Sequence, residues 1–460
     1  MFSSKVYSNR RNSLKQKIGN GILFMPGNLE ASFNYLANTY HFRQDSTFLY
    51  FFGLNQPDLA AIIDVDSGKD YLFGNDVDMD DIIWMGPQPS MKERASKVGV
   101  ENTAPMKELS EMLLGALKKG RKIHILPTYR GDTVIQIANF LNINHNKVKD
   151  FVSKEFIKAV VSLREIKDDY EIAEIEKAVA VAYDMHTTAM KMAMPGTIEQ
   201  EIAGRIEGIS ISGGGPVSFP IILSVHGETL HNHYHNNVLE LGQMMVTDAG
   251  CETSMGYASD ITRTTPVGGK FNQVQKEIYE IVLKANMEAI KNSKPGVLYR
   301  DMHFLAAKTI ASGLKDLGLM KGNIDDAVQQ GAHALFMPHG LGHQMGLDVH
   351  DMESFGENYV GYDEEVQRSE QFGLAFLRLG KRLKKGLVLT DEPGIYFIPA
   401  LIDLWKSENK FTDFINYDKL EGYKDFGGIR IEDDLLITDT GCRVLGKPIP
   451  KTVDEIENIT

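Results

Sequence analysis

Apolar positions along the chain follow two rhythms, and the change between them divides it. Up to about residue 155, short apolar runs alternate with helical stretches, and LAAIIDVDSGKDYLFG (59–74) reads as two strands joined by an Asp-Ser-Gly turn. This pattern predicts a self-contained α/β domain over residues 1–157 and a second domain over 158–460. In the second, Ile172, Ile175, Val179, Ala182 and Ala189 fall on one face of a helix that ends at Met194-Pro195-Gly196. Thr197 and Gln200 then have the spacing of a capping box ahead of Ile202, Ile206 and Ile209. The arrangement recurs with Val274, Ile278, Val282, Ala285 and Ala289, then Pro295-Gly296, then a helix through Leu305 and Ile310. The two Pro-Gly pairs lie 100 residues apart, which suggests two similar halves, each a helix pair followed by strands.

Composition narrows the function. With 460 residues, 43% of them hydrophobic, the chain can bury two sizeable cores. Its 49 Lys+Arg against 62 Asp+Glu give a net charge of −13, spread rather than gathered, which argues against nucleic acid as a partner. No run approaches the roughly 20 apolar residues of a membrane span, and the first thirty residues hold no apolar signal core, so a soluble, cytoplasmic protein is expected. Cys251 and Cys442 are the only cysteines, which leaves Asp, Glu and His to build any metal site. Asp76, Asp78, Asp80 and Asp81 read as a solvated acidic loop, and Gly213-Gly214-Gly215 as a loop. Gly268-Gly269-Lys270 precedes Phe271 and lacks the Ser/Thr of a phosphate loop.

Four segments carry chemistry. In MMVTDAGCETSMGYASDITRTTPVGG (244–269), two strand-like runs flank a turn, so Asp248 and Asp260 can point into one pocket. FMPHGLGHQMGLDVHD (336–351) holds His339, His343 and His350 among glycines that imply close backbone packing. GLVLTDEPGIYF (386–397) delivers Glu392 from an apolar strand. In FGGIRIEDDLLIT (426–438), Glu432 sits in another, with Arg430 two residues earlier as its supporting partner, and Thr262 lies behind the ligands from the first segment. Burying such carboxylates costs several kcal/mol unless cations compensate. Asp248, Asp260, Glu392 and Glu432 carry four negative charges; two divalent ions balance them, with His343 as the single nitrogen donor. Oxygen-rich sites of this type favour Mn(II), Fe(II) or Co(II) over zinc, and a pair of such ions about 3.5–4 Å apart lowers the pKa of a shared water.

These residues resemble the pita-bread metallopeptidases, the group of aminopeptidase P and prolidase. By that resemblance Asp248, Asp260, His343, Glu392 and Glu432 are metal ligands for two divalent ions, most simply Mn(II). HFRQDSTFLYFFGLNQPDLAAIIDVDSGKDYLFG (41–74) and Trp84-Met85-Gly86 are similar to the amino-terminal domain of the same group. The fold implied is an α+β pita-bread catalytic domain behind a smaller α/β domain, and the activity implied is hydrolysis of the Xaa–Pro bond at a peptide amino terminus. The resemblance assigns Glu392 as general acid/base, His231 and His350 as catalytic donors to the carbonyl oxygen, and His339 and His350 as substrate binders. His233 and His235 are expected to be bystanders. The stretch between Asp248 and Asp260 is one residue longer than the usual turn of the family, which lengthens the hairpin loop. KPGVLYRDMH (294–303), the 40-residue spacing of Glu392 and Glu432, and Arg378 look more like prolidases, in which an arginine grips a dipeptide carboxylate. The alternatives are an aminopeptidase P that accepts longer peptides and an inactive pita-bread binding module. A homo-oligomer, dimer or tetramer, is implied as well.

Overall fold

The computed structural model describes residues 1–459. It falls into two compact units, Met1–Arg164 with Met352–Tyr359, and Glu165–Asp351 with Val360–Thr460. Residue 157 lies inside the helix Lys154–Arg164, which belongs to the first unit.

The first unit is built on a mixed five-stranded sheet, in the order Asn102–Ala104, Asp70–Phe73, Ala60–Asp64, Ile22–Pro26, Ile123–His124. The strands read from residues 59–74 pair antiparallel, Ala60 opposite Phe73 and Ile63 opposite Asp70. The acidic stretch departs from the expected loop. Asp78 and Asp81 cap the short helix Met79–Met85 reciprocally, because a carboxylate at the first and fourth positions satisfies amide groups that the helix leaves open.

In the second unit the helices Asp169–Met192 and Glu199–Ser212 form one pair, and Gln273–Asn292 and Tyr299–Asp316 form another, each joined through its Pro-Gly turn. The apolar stripe of the third helix is buried at Ile278, Val282, Ala285 and Ala289, worth about 1.5–3 kcal/mol for each large side chain. Val274, in its first turn, remains 42% exposed. Thr197 does not cap the second helix, which starts at Glu199. Its carbonyl accepts from Leu239 N, and Ile198 bridges Val238, so this stretch is held extended as a strand partner. Glu201 instead accepts from Ile198 N.

Each helix pair is followed by strands. The first half gives an antiparallel sheet ordered Ile261–Pro266, Met244–Ala249, Ile222–Ser224. The second gives Val388–Asp391, Asp433–Ile437, Cys442–Val444 and the pair Gly394–Tyr396 with Gly428–Arg430. Glu432 N donates to Thr262 O, and Thr264 Oγ1 exchanges bonds with the backbone of Arg430, so the strands of the two halves meet edge to edge. No helix among the described residues is long and apolar enough to cross a membrane.

Candidate metal centre

That meeting line gathers the carboxylates. Asp248 lies directly opposite Thr262 in the hairpin register, and Asp260 immediately precedes the second strand, on the face it shares with Thr262. Thr262 Oγ1 donates to Glu432 Oε2 at 2.7 Å and accepts from Arg430 Nε at 3.1 Å. Arg430 reaches on to Asp248 Oδ2 at 2.6 Å and to Tyr396 Oη at 2.9 Å. The arginine expected behind Glu432 therefore holds Asp248, and Thr262 holds Glu432. The reason is that strand Gly428–Arg430 ends before Glu432, so the side chain of Arg430 faces the neighbouring hairpin instead of its own chain.

His343 comes from a glycine-punctuated loop pressed against strand Val388–Asp391. A Cβ on Gly342 would stand 2.1 Å from Thr390 O, so only glycine fits there. His343 N donates to Thr390 Oγ1 at 3.1 Å, and Thr390 N to His343 O at 2.9 Å. The Nδ1 of His343 faces the carbonyl of Gln344 at 3.1 Å; a carbonyl only accepts, so Nδ1 carries the proton and Nε2 offers its lone pair. Nε2 stands 3.3 Å from Asp260 Oδ2 and 3.7 Å from Glu392 Oε1. Ligand atoms of Asp260, His343 and Glu432 all lie within 4.8 Å of one another.

The electrostatics are those of a site built for cations. Burial, and after it Asp248, Asp434 and Glu392, hold Asp260 well above the usual carboxylate range. Burial, then Asp260, Glu392 and Asp248, does the same to Glu432. Glu392 is also raised, first by burial, although His343 and Arg430 pull against the shift. The buried Oδ1 of Asp248 has no hydrogen-bond partner. Crowded buried carboxylates, an orphaned carboxylate oxygen and an imidazole lone pair turned inward together fit a divalent metal site of hard oxygen donors with one nitrogen.

The remaining predicted residues surround this cluster. The His350 ring lies 4.2 Å from that of His343, centroid to centroid. His339 donates from Nδ1 to Gly340 O at 2.7 Å, leaving Nε2 to accept from Tyr396 Oη at 2.9 Å; burial pushes its pKa down to about 3, so it is neutral. Arg378 is half-buried, and its charge acts on both His343 and Glu392. His231 is exposed, yet its pKa is lowered by partial burial and then by Arg430, with Asp248 opposing and His350 adding to the shift. His233 and His235 turn Nδ1 toward the carbonyls of Ile221 and Leu223, at 3.4 and 2.9 Å. Tyr396 was not singled out from the sequence, although it follows Glu392 on the same alternation. Its fully buried hydroxyl links Arg430 to His339, and burial raises its pKa to about 12.

Comparison with known proteins agrees with this chemistry. Residues 173–439 match the description "Metallopeptidase family M24", and residues 7–126 match "Aminopeptidase P, N-terminal domain". The chain is 34% identical over 429 residues to the Xaa-Pro dipeptidase of Homo sapiens, covering 90% of this chain and 84% of that protein. It is also 34% identical over 467 residues to a probable Xaa-Pro aminopeptidase of Fusarium vanettenii, covering 100% and 96%. Among solved structures, aminopeptidase P from Escherichia coli with the inhibitor Pro-Leu superimposes with a TM-score of 0.81 at 28% identity, covering 100% of this chain and 98% of that one. Aminopeptidase PepP of Pseudomonas aeruginosa gives 0.82 at 27%, with the same coverage.

Proposed function

Because the chain belongs to metallopeptidase family M24, we propose that it hydrolyses the Xaa–Pro bond of short peptides with two divalent ions, and that it prefers the dipeptide. Identity does not separate dipeptidase from aminopeptidase, since both kinds of relative stand at 34%. The dipeptide preference is argued from Arg378, a half-buried cation whose charge acts on His343 and Glu392, two of the proposed ligands. A guanidinium there suits the free carboxylate of a terminal proline, and a chain continuing past proline offers it only a neutral amide.

Asp248, Asp260, His343, Glu392 and Glu432 are the proposed ligands, and oxygen donors with one imidazole favour Mn(II). When bound, the ions supply Lewis-acid polarisation of the carbonyl and a water of lowered pKa. The chain's own residues do the rest. Proline's nitrogen carries no hydrogen, so it is not held by an N–H bond and must be protonated as it leaves. Glu392 is the proposed carrier of that proton, a carboxylate whose Oε1 stands 3.7 Å from His343 Nε2 at the edge of the cluster. His231 and His350 are the proposed donors to the developing oxyanion, a role worth about 3–4 kcal/mol per donor. His339, fixed by Tyr396 and Gly340, is proposed to line the substrate subsite with a neutral ring. We also assign the protein to a reducing compartment, on its two unpaired cysteines, and to a dimer, on the exposed Phe33, Leu36, Ile83 and Trp84.

The test is turnover of Ala-Pro against Ala-Pro-Ala, with and without Mn(II). Activity should require the metal and favour Ala-Pro. Arg378→Ala should lower kcat/KM for Ala-Pro by about 10–100-fold, the worth of a charged hydrogen-bonded contact, and leave Ala-Pro-Ala nearly untouched. Preference of the unsubstituted enzyme for the tripeptide would make it an aminopeptidase P.

A further inference from the structure

The two glutamates of the site are each followed or preceded by an aspartate that faces away from it. Asp391 and Asp433 stand directly opposite one another in the antiparallel pair Val388–Asp391 with Asp433–Ile437. Both are buried, so two carboxyl groups face each other across the ladder away from water and need partners inside the fold. Glu392 and Glu432 leave the strands at this same point. Whatever holds the two aspartates at a fixed spacing therefore also sets the ends from which the two glutamates reach into the pocket.

The opposing charge arrives from the far end of the chain. Lys451 Nζ donates to Asp433 Oδ2 at 2.6 Å and to Asn286 Oδ1 at 2.8 Å. Asn286 Nδ2 in turn donates to Asp391 Oδ2 at 2.9 Å and to Asp391 O at 3.2 Å. Lys451 is anchored by its own carbonyl, which accepts from Tyr279 Oη at 2.7 Å. On the other side Arg263, 1% exposed, spends all five N–H donors. They go to Asp433 Oδ1 at 2.7 Å, Glu432 O at 2.6 Å, Thr262 O at 2.9 Å, Pro450 O at 2.9 Å and Ile449 O at 3.1 Å. A closed circuit thus runs from Asp391 through Asn286, Lys451, Asp433 and Arg263 to the backbones of Thr262 and Glu432.

We propose that Lys451 is a positioning residue of the metal centre. Its ammonium ties Asp433 to Asn286, which holds Asp391, and so fixes the separation of Glu392 and Glu432. The carboxyl-terminal segment is in this way part of the catalytic unit's machinery without touching substrate. The inference rests on the proposed peptidase reading for the identity of the ligands, and its test is read on metal binding, which needs no substrate.

Mn(II) is titrated calorimetrically into chelator-stripped protein, and the Mn(II) concentration for half-maximal hydrolysis is measured beside it. Lys451→Met, which keeps the apolar stem, should weaken Mn(II) binding by about 10–100-fold, the usual cost of losing a partner behind a metal ligand, with kcat at saturating Mn(II) within a few-fold of normal. Lys451→Arg should bind Mn(II) as the unsubstituted protein does. Asn286→Ala, which cuts the same bridge between Lys451 and Asp391, should weaken Mn(II) binding by a like factor, and it tests the bridge even if Lys451→Met folds poorly. Unchanged affinity in Lys451→Met, or in Asn286→Ala, overturns the proposal. An unsubstituted protein that binds no Mn(II) would remove the peptidase reading instead, so the two failures are read apart.

Discussion

Glu432→Gln is expected to lower kcat/KM for Ala-Pro by about 1,000-fold while leaving the metal-free protein at least as stable as before. The amide is nearly isosteric, and its carbonyl oxygen can still accept from Thr262 Oγ1, so the local packing survives. What disappears is one negative charge among Asp248, Asp260 and Glu392, the groups that raise the affinity of Glu432 for a proton after burial itself. In the absence of metal the carboxyl is driven toward its protonated form, so a neutral amide in its place costs nothing there and crowds Asp260 no more than before. In its presence the charge is half of what one ion is bound by. Losing several kcal/mol of metal-mediated transition-state stabilisation corresponds to about three powers of ten in rate. The measurement pairs metal content after dialysis and steady-state kinetics with thermal unfolding in chelator. A variant with full metal content and more than a tenth of the activity would exclude Glu432 as a ligand; a large drop in the chelator-treated melting temperature would show that the carboxylate serves the fold instead.

The asymmetry between what the sequence discloses and what it hides follows from range. Asp248, Glu392 and Glu432 are legible because a carboxylate within or at the end of an apolar strand is an expense that chemistry must justify, and that argument is local. The hairpin carrying Asp248 and Asp260, and both Pro-Gly helix pairs, are legible for the same reason: the period of apolar residues declares them within a few turns. Arg430 shows the limit. Its spacing pairs it with Glu432, but its guanidinium is 2.6 Å from Asp248, 182 residues away in the chain. Thr197 fails as a helix cap for a like reason, since a segment near residue 238 claims its backbone. Lys451 and Arg263 give no sequence signal at all: a lysine seven residues past the last strand gains meaning only once two aspartates are found face to face. Helix and strand identity were thus set locally, and partner choice by tertiary packing.

The stabilisation conferred by Mn(II) is expected to grow as pH rises from about 5 to 8. In the metal-free protein Asp260, Glu392 and Glu432 all have pKa values raised above those of the unfolded chain, chiefly by burial. A carboxyl of this kind holds a proton in the native state that the unfolded chain has already released. Its contribution to stability is complete below an unfolded pKa of about 4 and is lost as pH climbs through the folded value. Two other sets of groups act with the opposite sign. Asp433, held ionised by Arg263 and Lys451 against its burial, contributes stability that is lost only as pH falls below the usual carboxylate range. The buried histidines 186, 303 and 333, with pKa values depressed to about 4, 3 and 4, cost stability when the unfolded chain protonates below pH 6.5 or so. All of these lie outside the proposed ligand set and act equally in the metal-free and metal-loaded protein, so the difference between the two melting temperatures isolates the ligands. Ions bind the deprotonated carboxylates and must displace protons whose occupancy falls as pH rises toward and through the raised folded values. At fixed free Mn(II) the native state therefore gains more at the higher pH, at roughly 2–4 °C for each kcal/mol in a domain of 150–250 residues. Scanning calorimetry of chelated and Mn(II)-loaded samples at pH 5, 6, 7 and 8 measures that gap directly. Titrations at pH 6 in buffers of different ionisation enthalpy should register proton release on Mn(II) binding. A gap that stays constant or narrows as pH rises would mean that these carboxylates are not what the ions hold.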